Sequence, residues 1–161
     1  MSEARELKPG MPAPDFVLKD ASETSVQLSS YRGRWVVLYF YPRDNTSGCT
    51  LEAIDFTRAL PEFEKLNAVV LGVSPDSCLS HQKFARKHDL RVTLLSDPDH
   101  QALEAYGVWQ KKRQYGREYF GVVRSTFLID PEGVVREVWR NVRVKGHVEA
   151  VLNRLKEIQQ G

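Results

Sequence analysis

Two thiols, and the residues just ahead of one of them, are where this chain could do chemistry. Cys49 follows the apolar run Trp35–Tyr41 and stands where a helical pattern begins. A thiol at such a junction meets unpaired backbone N–H groups and the positive end of a helix dipole, both of which favour a thiolate. Pro42, Thr46 and Cys49 are spaced P-x-x-x-T-x-x-C, and Gly48 lets the backbone come close to whatever the sulfur meets. A disulfide oxidoreductase would need C-x-x-C at this helix start. Thr46 takes the place of the first of those cysteines. Its hydroxyl can hydrogen-bond a ligand or orient a thiolate, but it cannot close a disulfide. The other reading of Cys49 is a buried thiol acting as a small hydrophobe.

The elements that must position Cys49 follow from periodicity. Phe16-Val17-Leu18 and Val26-Gln27-Leu28 read as an N-terminal β-hairpin. Trp35–Tyr41, apolar on both faces, reads as a central strand covered by helices. Pro42 stops it, and a loop leads into a helix opening near Cys49. Leu51, Ile54 and the set Ala53, Phe56, Leu60, Phe63 give that helix apolar faces, and Pro61 should kink or split it. Residues 68–73 form a second buried strand. Ser74-Pro75 then reads as an N-cap with proline at the first helical position, opening a helix to about His88. A short strand over 93–95 precedes a helix over 101–106. Residues 110–118 read as a basic connector. Two strands, 125–129 and 134–139, flank the turn Asp130-Pro131-Glu132-Gly133. The final helix carries Val148, Val151, Leu152, Leu155 and Ile158 on one stripe. Parallel strands followed by an antiparallel hairpin, with helices on both sides, is the order of a thioredoxin-like α/β fold with an N-terminal hairpin extension. The chain reads as one domain over residues 1–161.

Fold order alone gives no function. The string YFYPRDNTSGCTLEA around Cys49, however, resembles the peroxidatic motif of the peroxiredoxins. Within that family it is similar to the bacterioferritin comigratory protein, or peroxiredoxin Q, subfamily. Further segments match in order: GMPAPDFVL, LGVSPDS, SH, YGVW and GVVRSTFLIDPEG. The resemblance implies a thiol peroxidase that reduces hydrogen peroxide and organic hydroperoxides through Cys49, forming a sulfenic acid. An external thiol donor, thioredoxin by resemblance, would then reduce that acid. It further implies an active-site arginine at Arg124, catalytic roles for Thr46 and Pro42, a monomer, and no metal or organic cofactor. Without it, Arg124 reads as a surface arginine at a strand start.

Ionising the thiol is not enough for such a reaction. A free cysteine of pKa about 8.5 is roughly 3% thiolate at pH 7. Lowering that pKa to about 6 gains about thirtyfold in thiolate, of which the fall in nucleophilicity returns about tenfold. The larger contribution must come from donors that hold the peroxide in line and stabilise the departing oxygen. Arg124, Thr46 and the N–H groups opening the Cys49 helix are the candidates, and Pro42 would shield the sulfur from water.

Family members often carry a resolving cysteine five residues after the peroxidatic one, where this chain has Ile54, or nearer Ala85 in the following helix. Here the second thiol is Cys78, two turns before Ala85. Either Cys78 is a displaced resolving cysteine, or it is incidental in a one-cysteine enzyme. The reduced protein is expected to have no Cys49–Cys78 bond, and its oxidised form to await an external thiol.

The remaining signals exclude more than they add. The four histidines at 81, 88, 100 and 147 show no metal-ligand spacing. Lys111-Lys112-Arg113 reads as a solvated charge run, and Glu52 as a residue favouring a helix start, with no catalytic role. Over 161 residues, 42% hydrophobic and 27% charged is an ordinary globular composition, which excludes disorder and fibres. A formal charge of +2 speaks against nucleic acid or a membrane surface as partner. No apolar run reaches a membrane span, and MSEARELKPG lacks the core of a secretory signal. Two cysteines make no disulfide framework, so a cytoplasmic protein is expected.

Overall fold

The β-rich run that ends ahead of Cys49 is the centre of the molecule. In the computed structural model, which describes residues 6–161, it forms strand β3, Trp35–Phe40. The N-terminal segment read as lacking a signal core lies outside the described residues over 1–5. β3 pairs in parallel with β4 (Ala68–Ser74), which pairs in parallel with β5 (Thr93–Ser96). On its other side β3 runs antiparallel to β8 (Ser125–Ile129), and β8 to β9 (Val135–Arg140). The N-terminal hairpin, β1 (Val17–Asp20) and β2 (Ser25–Gln27), joins the same sheet through an antiparallel pairing of β1 with β5. The seven-stranded order is β2-β1-β5-β4-β3-β8-β9.

Alternation along β3 divides the interior in two. Val36, Leu38 and Phe40 face one core, with Ala102 and Leu103 of α3 (Gln101–Ala105). Val37 and Tyr39 face the other, against Phe56 of α1 (Ser47–Lys65), Phe84 of α2 (Cys78–His88) and Val151 of α4 (His147–Gln160). Cys49 belongs to this second core. Among the described residues no helix is long and apolar enough to cross a membrane.

Four local expectations are corrected. Pro61 does not split α1, which runs unbroken from Ser47 to Lys65. A helical proline costs about 3 kcal/mol, an amount that two buried phenylalanines at roughly 1.5–3 kcal/mol each can offset. Phe56 and Phe63, both fully buried, lie on either side of it. Leu51, assigned above to an apolar face, is exposed. Ser74 is the last residue of β4 and not a cap; α2 begins later, at Cys78, where the Ser77 hydroxyl accepts from Ser80 N–H at 3.1 Å.

The fourth correction bears on the site. Residues 110–118 are no connector but most of a second sheet, β6 (Trp109–Gln114) and β7 (Arg117–Val122). The turn between them is Tyr115-Gly116, with φ of 53° and 75°. Two consecutive positive φ values make the two-residue turn whose twist matches paired strands, and glycine at its second place is the signal for it.

Candidate active site

Cys49 is the third residue of α1 and only 1% exposed. Its backbone N–H is among those a helix start leaves without an intrahelical partner. Arg124 immediately precedes β8, and its neighbour Ser125 stands in register with Phe40. Sheet register thus carries an arginine 75 positions away to the end of β3 where the thiol sits. The contact is direct: Arg124 Nη2 donates to Cys49 Sγ at 3.2 Å. Gly48 makes room for it, since a Cβ there would lie 3.3 Å from the same Nη2.

The other guanidinium nitrogen has a partner that the sequence reading passed over. Arg124 Nη1 donates to Glu52 Oε1 at 2.6 Å, and Glu52 is 0% exposed. Its Oε2 has no hydrogen-bond partner among the described residues. Burial outweighs the attraction of Arg124 and pushes the Glu52 carboxyl from 4.5 up to about 7, with Asp55 adding to the rise. For Arg124, burial works the other way, but Glu52 and the Cys49 sulfur overcome it and raise its pKa. Glu52 is therefore no mere helix-start residue; it holds one end of the guanidinium while the other end faces sulfur. The sequence signal was its offset of three from Cys49, which puts both on one helix face. His147 is also nearby: burial and Arg124 depress it to about 4, so it adds no charge at neutral pH.

Thr46 lies at the N-cap of α1, but its hydroxyl donates to the Arg43 carbonyl at 3.1 Å and not towards sulfur. Its single proton is committed, so what it offers a ligand is its lone pairs. Pro42 is half-buried and lines a cavity of about 500 Å³ with Lys112, Arg113, Tyr119, Arg124 and Val142. The unexpected β6–β7 hairpin thus forms one wall over Arg124.

Cys78 is elsewhere. Half-buried at the first turn of α2, it lines a cavity of about 310 Å³ with Leu18, Lys19, Ser96, Asp97 and Gln101. None of those residues lines the space above Arg124. Both thiols are free.

The loop before Cys49 is tied to α2 by a buried polar network. Asp44 accepts from the Tyr41 hydroxyl at 2.6 Å and the Ser80 hydroxyl at 2.7 Å, and pairs with His81 Nδ1 at 2.8 Å. Asp44 N–H donates to Asp76, which also accepts from the Ser74 hydroxyl. His81 Nε2 lies 2.9 Å from the Leu95 carbonyl, which only accepts, so Nε2 carries a proton and a second lies between Nδ1 and Asp44. Burial raises the Asp44 carboxyl, but its bonds from His81, Tyr41 and Ser80 prevail and hold it below its usual value. Asp44, Asp76 and His81 form the one grouping of three potential metal ligands among the described residues. Both Asp44 oxygens, Asp76 Oδ2 and both His81 nitrogens are already engaged with one another, with the Tyr41, Ser74 and Ser80 hydroxyls, or with backbone.

Residues 9–138 match the model of the AhpC/TSA family. The chain is 49% identical over 151 residues to peroxiredoxin Bcp of Bacillus subtilis, covering 94% of this chain and 96% of that protein. It is 48% identical to a putative peroxiredoxin bcp of Helicobacter pylori, covering 93% and 99%. Among solved structures, Xylella fastidiosa PrxQ superposes with a TM-score of 0.92 at 41% identity, covering 96% of this chain and 99% of that one. The bacterioferritin comigratory protein of Xanthomonas campestris, which has alkyl peroxide reduction activity, superposes at 0.88 with 42% identity, covering 93% and 98%.

Proposed function

The chain belongs to the AhpC/TSA family and is a thiol-dependent peroxidase of the peroxiredoxin type with a thioredoxin-like fold, and we propose that Cys49 is its peroxidatic residue. In this reading the Cys49 thiolate attacks the terminal oxygen of hydrogen peroxide or an organic hydroperoxide. The S–O bond forms as O–O breaks, and the departing oxygen takes a proton to leave as water or an alcohol. Cys49 is left as a sulfenic acid. The observation that carries the reading is the Arg124–Cys49 contact at 3.2 Å, with the guanidinium fixed from behind by Glu52. A cation in that place can steady the thiolate before attack and the leaving oxygen during it.

Thr46 enters as an acceptor for the peroxide O–H, which leaves donation to Arg124 and the backbone N–H groups at the start of α1. Pro42 has no N–H to hold water and closes one side of the approach. The sulfenic acid is reduced by an external thiol, thioredoxin as the resemblance implies, and Cys78 is not required. The reading takes the chain as a cytoplasmic monomer of one domain over 1–161; of these, the two free thiols support only the reducing compartment. Peroxide consumption decides it. Cys49→Ser abolishes reduction, while Cys78→Ser still forms the sulfenic acid. Near-normal consumption by Cys49→Ser would overturn the assignment.

A further inference from the structure

The hairpin over the site carries more positive charge than its own carboxylate balances. Between Trp109 and Val122 it has four cations, Lys111, Lys112, Arg113 and Arg117, and one carboxylate, Glu118. That carboxylate is taken by Arg113 at 2.7 Å and Lys111 at 3.1 Å. Lys112 points from the other face of β6, opposite Tyr119, and has no carboxylate partner among the described residues. Burial and the nearby Arg124 push its pKa down, against a smaller pull from Cys49. Lys112, Arg113 and Arg124 line one space of about 500 Å³ that no carboxylate among the described residues lines; Arg113 is paired with Glu118 and Arg124 with Glu52, which leaves Lys112 as the cation there without a carboxylate partner. Holding like charges together lowers stability, which an incoming anion would reverse. The size suits a small molecule, and Val123, Val142 and the Tyr119 ring give it an apolar side. Cys49 lies just behind this lining, where Arg124 donates to its sulfur at 3.2 Å, and no cysteine lines the cavity itself.

We propose that this cavity admits a small carboxylate-bearing thiol, with Lys112 as the residue that selects its charge, as a reductant of oxidised Cys49. The proposal rests on the peroxidase reading and adds a second class of reductant to a thioredoxin-type donor. The incoming thiolate attacks the sulfenic sulfur, so that an S–S bond forms and the S–O bond breaks. The hydroxyl takes one proton and leaves as water, beside Arg124. A second thiol of the same class attacks the mixed disulfide, returning the Cys49 thiolate and releasing the symmetrical disulfide. The sulfenic sulfur gains two electrons and two thiols lose one each.

Stopped-flow reduction of the preformed sulfenic acid tests this with two probes, mercaptosuccinate and neutral 2-mercaptoethanol. Their intrinsic reactivities cancel when the ratio of their rates is compared between proteins. Charge reversal within a few ångströms of the ligand should lower that ratio at least about fivefold in Lys112→Glu. Lys112→Gln should lower it less, and Lys112→Arg should restore it. In the parent protein, raising salt to about 1 M, where the screening length falls to about 3 Å, should shrink the ratio without any substitution. A ratio that ignores both Lys112 and salt overturns the proposal. So does charge selection that appears only at the oxidation step, with peroxymonosulfate against hydrogen peroxide, because it assigns the cation to the peroxide. Failure of the parent to form any sulfenic acid at Cys49 would instead defeat the peroxidase reading.

Discussion

Replacing Arg124 with lysine separates the charge near Cys49 from the geometry that delivers it. The guanidinium makes two bonds at once, 2.6 Å to Glu52 and 3.2 Å to the Cys49 sulfur, through different nitrogens. A lysine ammonium is a single nitrogen on a flexible stem and cannot reach both with the same direction. The Glu52 carboxylate is the more deeply buried partner and the better acceptor, so the ammonium should settle there and leave the sulfur. A hydrogen bond involving a charged group is worth about 1.5–3 kcal/mol. If that bond acts on the transition state, losing it slows the reaction by roughly 10- to 100-fold. The measurement is the second-order rate of Cys49 oxidation by hydrogen peroxide in rapid mixing, with circular dichroism to establish that the fold is kept. A tenfold or greater loss is expected. A rate within twofold of the parent, with the fold intact, would show that net charge alone suffices and that the two-pronged geometry is irrelevant.

Glu52→Gln should change how stability depends on pH. An ordinary glutamate ionises near 4.5 and Glu52 near 7, so between those values the unfolded chain gives up a proton that the fold retains. Stability therefore falls as pH rises through that window, by roughly 3 kcal/mol from this one group. Urea unfolding at pH 5 and pH 8 should show the fall in the parent and not in the variant; equal slopes would refute it. Asp44→Ala leaves His81 buried without its partner and should cost about 3–5 kcal/mol, read as a lower urea midpoint at pH 7. A loss under about 1 kcal/mol would mean the network does not hold the loop. Non-reducing peptide mapping after one equivalent of peroxide should find Cys49 as sulfenic acid or trapped adduct. A dominant Cys49–Cys78 peptide would make Cys78 the resolving residue.

Long apolar runs and strong turns were readable from sequence because their signals are local. β3, β4, the β8–β9 hairpin and α4 all arise from periodicity confined to one segment, and the strand-to-helix position of Cys49 follows from them. Partnerships across the fold were not readable. Glu52 looked like a helix-start residue because its meaning depends on Arg124, which only the β3–β8 register brings near. The Thr46 hydroxyl turned to the Arg43 carbonyl, a choice among local acceptors that residue type does not decide. Asp44 and His81, 37 positions apart, gave no pattern at all. Residues 110–118 failed for another reason: their charge concealed a strand signal, and the two-residue turn at Tyr115-Gly116 was its only strong mark. Pro61 failed because a local penalty was weighed without the tertiary burial on either side of it.

The span between Cys49 and Arg124 also sets when the thiol becomes an enzyme. A chain emerging from its N-terminus presents β3, the start of α1 and Cys49 long before it presents Arg124, which follows 75 positions later. Until β8 docks against β3, the thiol has a helix start beside it but no guanidinium, and Glu52 has no partner for its charge. Contacts this distant in sequence form only when the chain between them has closed. Newly made protein is thus an ordinary cysteine protein through most of its assembly. It meets peroxide as a specialised nucleophile only when the central sheet is complete through β8.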